Sequence, residues 1–282
     1  MLSAEHIAFT GTGTAYDPAT GEALVFAPAE THKVVNIAQA DAYKEREQAK
    51  KNGRASEFTI TNMDNIDEVI ERVSDKHCGY LLYLQCFVNY DAILANADKT
   101  AMSREDIRRT LDVSRPTATE FIAAMIENGV MYEDGGQYRM NPRYHFQGRT
   151  DNTHIVRSFV AKVKRLYSEV SAKDLGFVYK LLPHVHLETN TVCANPFERD
   201  VENTLPLTKE DIAALTGVDA KTVYRKMRGL KFGDQYVFAE VVYGNARYYK
   251  VNPFVFYRKV GTPDATLREM FSIRNNYRKR RK

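Results

Sequence analysis

Apolar positions recur at helical spacing in two separate stretches of the chain, roughly residues 79–95 and 176–187. Each stretch is followed by a loop, a short helix, a tight turn and a second helix. Runs of alternating apolar and polar residues close both segments, around the turns Gly135-Gly136 and Gly244-Asn245, and these runs predict β-hairpins. The pattern therefore predicts two copies of one unit, made of helix, turn, helix and hairpin.

Matching sequences indicate that this unit has been duplicated. Residues 102–107 (MSREDI) and 207–212 (LTKEDI) both read apolar, hydroxyl, basic, Glu, Asp, Ile. In each segment the hydroxyl residue is a predicted helix N-cap, and the Asp three positions later is the acidic partner of a capping box. Ser114 and Asp219 are predicted to cap the helices that follow. Two helices joined by a short turn form a helix-turn-helix, and the hairpin adds a wing.

The predicted fold class is mainly α with small β wings (α+β), as tandem winged helix-turn-helix modules joined by an amphipathic helix. A chain of 282 residues is long enough for two such modules with linking segments. The predicted organisation is an acidic N-terminal segment 1–77, winged-helix module 1 at 78–150, a linking amphipathic helix 151–175, winged-helix module 2 at 176–261, and a basic C-terminal tail 262–282.

Charge is distributed unevenly along the chain, although the net charge is only +4. Residues 1–77 hold 8 Lys and Arg against 13 Asp and Glu, whereas residues 205–282 hold 17 against 7. Such segregation is expected when one end of a protein neutralises phosphates. No apolar run is long enough to cross a membrane and the N-terminus lacks the features of a signal peptide, so the sequence predicts a cytoplasmic protein without a membrane partner.

The second helix of each predicted helix-turn-helix should enter the major groove of DNA, with its N-terminal residues at the base edges. In the second unit, helical phase turns Val218, Val223 and Met227 toward the core, so the opposite side of that helix faces outward. The predicted DNA-binding residues are Arg115, Thr117 and Thr119 in module 1, and Lys221, Thr222, Tyr224, Arg225, Arg228 and the wing residue Arg247 in module 2. The tail adds Arg274, Arg278, Lys279, Arg280, Arg281 and Lys282 as phosphate contacts without sequence preference.

The linking segment has apolar residues at steps of three and four, which is typical of an amphipathic helix. Two roles remain open for its apolar face. The face either docks on the modules of its own chain or pairs with a second copy in a two-fold homodimer. The residues that would form the dimer contact are Ile155, Phe159, Val163, Leu166 and Val170.

Candidate catalytic and metal-binding groups are few. Cys78, Cys86 and Cys193 form no C-x-x-C pair and are predicted to be buried apolar residues. His184-Val185-His186 matches the metal-ligand triplet of rolling-circle replication nucleases, but in the repeat it corresponds to the end of a helix rather than to a central strand. The sequence therefore predicts that the protein is not an enzyme and has no cofactor or metal.

Several motifs of the first unit carry a family resemblance: residues 79–84 (GYLLYL), 90–91 (YD), 102–107 (MSREDI), 114–117 (SRPT) and 141–148 (NPRYHFQG). On these motifs the chain resembles RepL-type plasmid replication proteins and related winged-helix proteins of phages that infect Gram-positive bacteria. The resemblance covers roughly residues 40–148, and a second winged-helix copy is not part of that family's usual pattern. It implies DNA binding, with replication initiation or phage gene control as candidate processes.

The function predicted from the sequence is sequence-specific binding of double-stranded DNA, by a non-catalytic replication initiator or transcription regulator of phage or plasmid type. A replication or transcription protein is a further expected partner. Two alternatives stay open at this point. One is a metal-dependent DNA-nicking replication protein that uses His184 and His186, and the other is a protein-binding adaptor that acts through module 1.

Overall fold

The structure, a computed structural model, describes residues 13–16, 23–26, 30, 57–244 and 246–272. The fold is α+β, with helices and small antiparallel sheets, as the hydrophobic pattern predicts at that level. The chain divides into two compact units, Met1–Ala55 and Ser56–Lys282. In the first unit, strands β1 (Gly13–Tyr16) and β2 (Ala23–Phe26) pair as an antiparallel hairpin.

The second unit contains a similar order of elements twice, with one additional hairpin, β8–β9, in the second repeat. The first repeat consists of β3 (Phe58–Asn62), α1 (Ile66–Arg72), α2 (Asp75–Leu84), α3 (Arg104–Leu111), α4 (Arg115–Glu127), β4 (Met131–Asp134), β5 (Gln137–Met140) and β6 (His145–Phe146). The second repeat consists of β7 (Ile155–Phe159), α5 (Val160–Glu169), α6 (Ala172–Leu181), α7 (Lys209–Thr216), α8 (Ala220–Gly229), β8 (Lys231–Phe232), β9 (Gln235–Tyr236), β10 (Phe238–Tyr243), β11 (Ala246–Val251) and β12 (Phe256–Tyr257). Helix α9 (Ala265–Ser272) follows.

The two repeats share one antiparallel sheet. Its strand order is β12-β7-β3-β6, so the strand that opens each repeat pairs with its counterpart at the centre of the sheet. The pairing runs in register from Phe58 opposite Phe159 to Asn62 opposite Ile155. The main hydrophobic core is also continuous, and it includes Phe121 of the first repeat and Phe177 of the second.

Helices α2 and α6 lie against each other with their backbones in direct approach. A Cβ atom added at Gly79 would collide with the backbone carbonyl of Ala172, and one added at Gly176 would collide with that of Asp75. Only glycine fits at either position, because any side chain would push the helices apart.

The predicted capping boxes are confirmed at the first helix of both predicted helix-turn-helix segments. The side chains of Ser103 and Thr208 each accept a hydrogen bond from the backbone N–H three residues later, and Asp106 and Asp211 each accept from the N-cap backbone in return. Ser114 also caps α4 as predicted, since its hydroxyl accepts a hydrogen bond from a backbone N–H in the first turn. These local motifs fix where each helix begins.

The linking segment is not one helix from 151 to 175. Its first part is strand β7, and helix α5 occupies only Val160–Glu169 before Ser171 caps α6. The reason is pairing with β3, a partner distant in sequence, whose ladder hydrogen bonds outweigh the helical spacing of the apolar residues.

The apolar face assigned to a possible homodimer is covered within the chain. The side chains of Ile155, Val163 and Leu166 are at most 1% exposed, and Phe159 and Val170 are partly buried against the same chain. Of the two roles left open for this face, docking on its own modules is the one observed. Most of this face is therefore already covered within one chain.

The boundary predicted at residue 78 also differs from the structure, because residue 78 lies within α2. Strand β3 and helix α1 precede it and belong to the same compact unit, with Met63, Ile66 and Val69 buried in the main core. Among the helices in the described part of the chain, none is both long and apolar enough to cross a membrane.

Candidate nucleic-acid interface

Helices α7 and α8, the predicted helix-turn-helix of the second repeat, are joined by a short turn that two residues set. Gly217 ends α7 in the left-handed conformation, with φ of 69°, which glycine adopts without steric cost. Asp219 then caps α8, and its Oδ1 accepts a hydrogen bond of 2.9 Å from the backbone N–H of Thr222. Hydrogen bonding with the side chain of Thr222, and then with its backbone N–H, lowers the pKa of Asp219, so the carboxylate stays charged at the helix N-terminus.

The inner and outer sides of α8 are as the helical phase predicts. Val223 and Met227 are fully buried, and Val218 packs against the core from the turn. On the other side lies a set of residues that we call the α8 face: Lys221, Tyr224, Arg225 and Arg228. Its three cations are exposed, whereas Tyr224 is half-buried, as is the predicted contact residue Thr222.

One carboxylate connects the α8 face to the predicted wing, which is the hairpin of β10 and β11. Glu240 lies 3.5 Å from Nε of Arg228 and 3.4 Å from Nη1 of Arg247. Arg228 also donates a hydrogen bond to the Tyr224 hydroxyl, and its guanidinium carbon lies 5.1 Å from the centre of that ring. Two guanidinium groups thus share one carboxylate, which holds the helix and the wing together and leaves a net positive charge.

A groove of about 810 Å³ runs between this wing and the N-terminal ends of α7 and α8. Cationic and aromatic side chains line most of it, including Lys221, Tyr224, Arg247 and Tyr248, and Lys209 lines it with its amino group 3.5 Å from the carboxylate of Glu210. Positive charge beside flat aromatic rings is a surface suited to phosphates and base or sugar edges.

Three exposed residues of this region were not predicted from the sequence as contacts. Lys209 lies at the start of α7, and Val242 and Tyr243 occupy the end of β10 with 57% and 81% of their surface exposed. The position of Val242 and Tyr243 immediately before the Gly244 turn is the signal that places them at the wing tip.

Not every cation of α8 is available to a ligand. Lys226 is 13% exposed and forms an ion pair with Asp174 of α6. Burial raises the pKa of Asp174, but hydrogen bonds from Lys226 and Ser171 outweigh it and the net shift is downward. This pair attaches α8 to the core, and it is a structural contact.

The equivalent face of the first repeat is much less basic. Arg115 is 84% exposed but lies 4.0 Å from Glu105, Thr119 is exposed and Thr117 is half-buried. The 105-residue offset between Ser103 and Thr208 places Glu120 at the position of Arg225 and Ala123 at that of Arg228. The first wing is acidic as well, with Glu133 and Asp134 exposed on β4.

His184 and His186 are not arranged as an open metal site. The two ring nitrogens of His186 lie 2.9 Å from the carbonyl oxygen of Glu198 and 3.1 Å from Oγ1 of Thr189. Burial lowers the pKa of both histidines. Within the described residues no cluster of three His, Cys, Asp or Glu side chains is placed to hold a metal ion.

The three cysteines are free and buried, as predicted. Burial raises the pKa of Cys78 and of Cys86 to about 12, and that of Cys193 to about 11. A thiol with such a pKa is a poor nucleophile at neutral pH.

The predicted tail contacts lie outside the described residues, as does Asn245 of the predicted hairpin turn; they are Arg274, Arg278, Lys279, Arg280, Arg281 and Lys282. Their contribution to binding stays a prediction, as does the resemblance to RepL-type proteins. Comparison of the chain with models of known protein families, with curated proteins and with solved structures found no match.

Proposed function

We propose that the two repeats are tandem winged helix-turn-helix modules and that the protein binds double-stranded DNA in a sequence-specific way, without catalysing a reaction. The observation that carries this proposal is the α8 face, whose exposed cations adjoin the Glu240-linked wing and the groove beside it. The process served would be replication initiation or transcription regulation of phage or plasmid type.

The geometry suits a division of roles between helix and wing. Lys221 and Arg225 lie in the first half of α8, where a recognition helix meets base edges, and either side chain is long enough to reach O6 and N7 of guanine. Arg247 is on the wing strand β11, a position suited to a phosphate or to the minor groove. A neutral helix packed only for stability would not need an exposed cation at each of these positions.

The second module is the main DNA contact in this proposal. In the first module, Glu120 and Ala123 stand where the α8 face has Arg225 and Arg228. At these two positions helix α4 therefore has no cation to attract phosphate and no arginine to contact guanine. The first module therefore contributes less affinity.

The test is selection of bound sequences from a random double-stranded library by the full chain, followed by affinity measurements on the selected duplex. Arg225→Ala should weaken binding by about 1–3 kcal/mol and relax the preference at one base position. Binding to unselected duplex should fall much less, because that binding comes mainly from phosphate contacts.

The matched control is Arg72→Ala, which removes the same charge from an exposed position on α1, outside both helix-turn-helix segments. It should leave the base preference unchanged. The proposed function is wrong if the full chain enriches no sequence, and the orientation of α8 is wrong if Arg225→Ala weakens all duplexes equally.

A further inference from the structure

The central strand pair relates the two repeats by a local two-fold axis. In the antiparallel pairing of β3 with β7, Ile60 lies opposite Arg157. These residues are 97 positions apart, which is also the difference between 176 and 79 for the two helix glycines. Each is therefore paired with its own equivalent in the other repeat, which is the condition met by residues on a two-fold axis.

The helix pair obeys the same relation. Gly79 approaches the carbonyl of Ala172, and Gly176 approaches that of Asp75. Ala172 is the equivalent of Asp75 at the same 97-residue separation, so the two contacts are reciprocal. Reciprocal contacts of this kind define an isologous interface, here between two repeats of one chain.

The outer strands extend the relation to the far end of each repeat. Thr61 pairs with His145 in the first repeat, and its equivalent Ser158 pairs with Phe256 in the second. The β3–β7 strand pair, the α2–α6 helix pair and the closing strands β6 and β12 are thus all related by the same two-fold axis. Helices α4 and α8 occupy the same place in the order of elements, between those helices and closing strands, so we expect the same axis to relate them.

From this symmetry we infer that the DNA target consists of two half-sites in inverted orientation, one for each module. The inference rests on the proposed function. Two reading helices related by a two-fold axis meet a duplex with opposite polarity, so the protein axis coincides with a dyad of the DNA. Modules related by translation would instead read direct repeats.

The two half-sites differ in sequence and in affinity, so the natural target does not read as an inverted repeat. The reading residues differ at all four positions of the α8 face, where the first repeat has Pro116, Thr119, Glu120 and Ala123 in place of Lys221, Tyr224, Arg225 and Arg228. We expect a strong half-site for the second module and a weaker half-site of different sequence for the first.

The symmetry can be tested by giving α4 the same DNA-reading face as α8. The variant P116K/T119Y/E120R/A123R copies the α8 face onto α4, and all four substituted positions are exposed. The test compares duplexes that carry two copies of the strong half-site, either inverted or direct. The centres of the half-sites are spaced by about 10 bp or about twice that value, and by slightly smaller and larger distances. The variant should bind the best inverted duplex at least about tenfold more tightly than any direct one.

The control P116R/E120K/A123K adds the same charge with Lys and Arg exchanged, and it should bind all duplexes more tightly without preferring the inverted ones. The smaller variant E120R/A123R repeats the comparison if the four-residue variant folds poorly. A preference for direct repeats, or equal binding to both, overturns the inference while DNA binding stands. If neither the natural chain nor the variants enrich any sequence, the proposed function falls with it.

Discussion

Gly79 and Gly176 are small residues with a large structural effect, because each allows the backbone of one helix to touch that of the other. The contact involves backbone atoms of Ala172 and Asp75, which cannot move aside as a flexible side chain can. The sequence alone gives no sign of this, since glycine inside a helix is otherwise unfavourable.

Gly79→Ala is therefore expected to lower the free energy of unfolding by at least about 1–3 kcal/mol, the usual cost of inserting atoms into a packed core. The control is Gly229→Ala at the end of α8, where an added Cβ meets open space. That change should be neutral or stabilise the protein by up to about 1 kcal/mol. Denaturant unfolding measures both, and equal effects of the two substitutions would contradict the close helix contact.

At the level of elements, helices α3 and α7 begin with capping boxes that titrate at low pH. Oδ2 of Asp106 accepts hydrogen bonds from the hydroxyl of Ser103, at 2.6 Å, and from its backbone N–H, at 2.9 Å. These bonds lower the pKa of Asp106 from 3.8 to about 2. The pKa of Asp211 in the second repeat is lowered by the same hydrogen bonds from Thr208.

A depressed pKa in the folded state means that the cap stabilises the protein fully above about pH 4, and that this stabilisation is lost as the pH falls toward 2. Asp106→Asn removes the titrating group, so the free energy of unfolding of the variant should fall less steeply across that range. Glu127→Gln, an exposed carboxyl at the end of α4, is the control and should keep the steep fall. An unchanged slope in Asp106→Asn would contradict the capping role.

At the scale of the whole molecule, the two repeats depend on each other for stability. They share the sheet β12-β7-β3-β6, the α2–α6 contact and one hydrophobic core. A buried polar contact also crosses between them, where Nε2 of His145 lies 2.8 Å from the Tyr179 hydroxyl. Burial lowers the pKa of His145 to about 3, so the ring is neutral at physiological pH.

The two repeats should therefore unfold in one cooperative transition rather than separately. Gly79→Ala, although it lies in the first repeat, should weaken amide hydrogen-exchange protection in α7 and α8 as much as in α3 and α4. Calorimetry and hydrogen exchange measure these effects. Two resolved transitions, or a loss of protection confined to the first repeat, would show that the modules are independent.

The sequence by itself determined the features that depend on neighbours along the chain. The caps at Ser103 and Thr208, the turn at Gly217 and the outward side of α8 all follow from local hydrogen bonding, from left-handed backbone preference or from helical period. The repetition of elements could also be predicted from the sequence, because similar motifs occur in the same order in both copies.

The tertiary structure decided what depends on distant partners. Strand β7 has helical spacing but pairs with β3, almost a hundred residues earlier, and the same pairing draws the segment before residue 78 into the compact unit. The sequence does not distinguish Lys226 from the other cations of α8, and only the structure shows its ion pair with Asp174. The two-fold axis is likewise invisible in sequence, because it arises only when two equivalent surfaces of the chain bury each other, and burial between segments far apart leaves no local pattern.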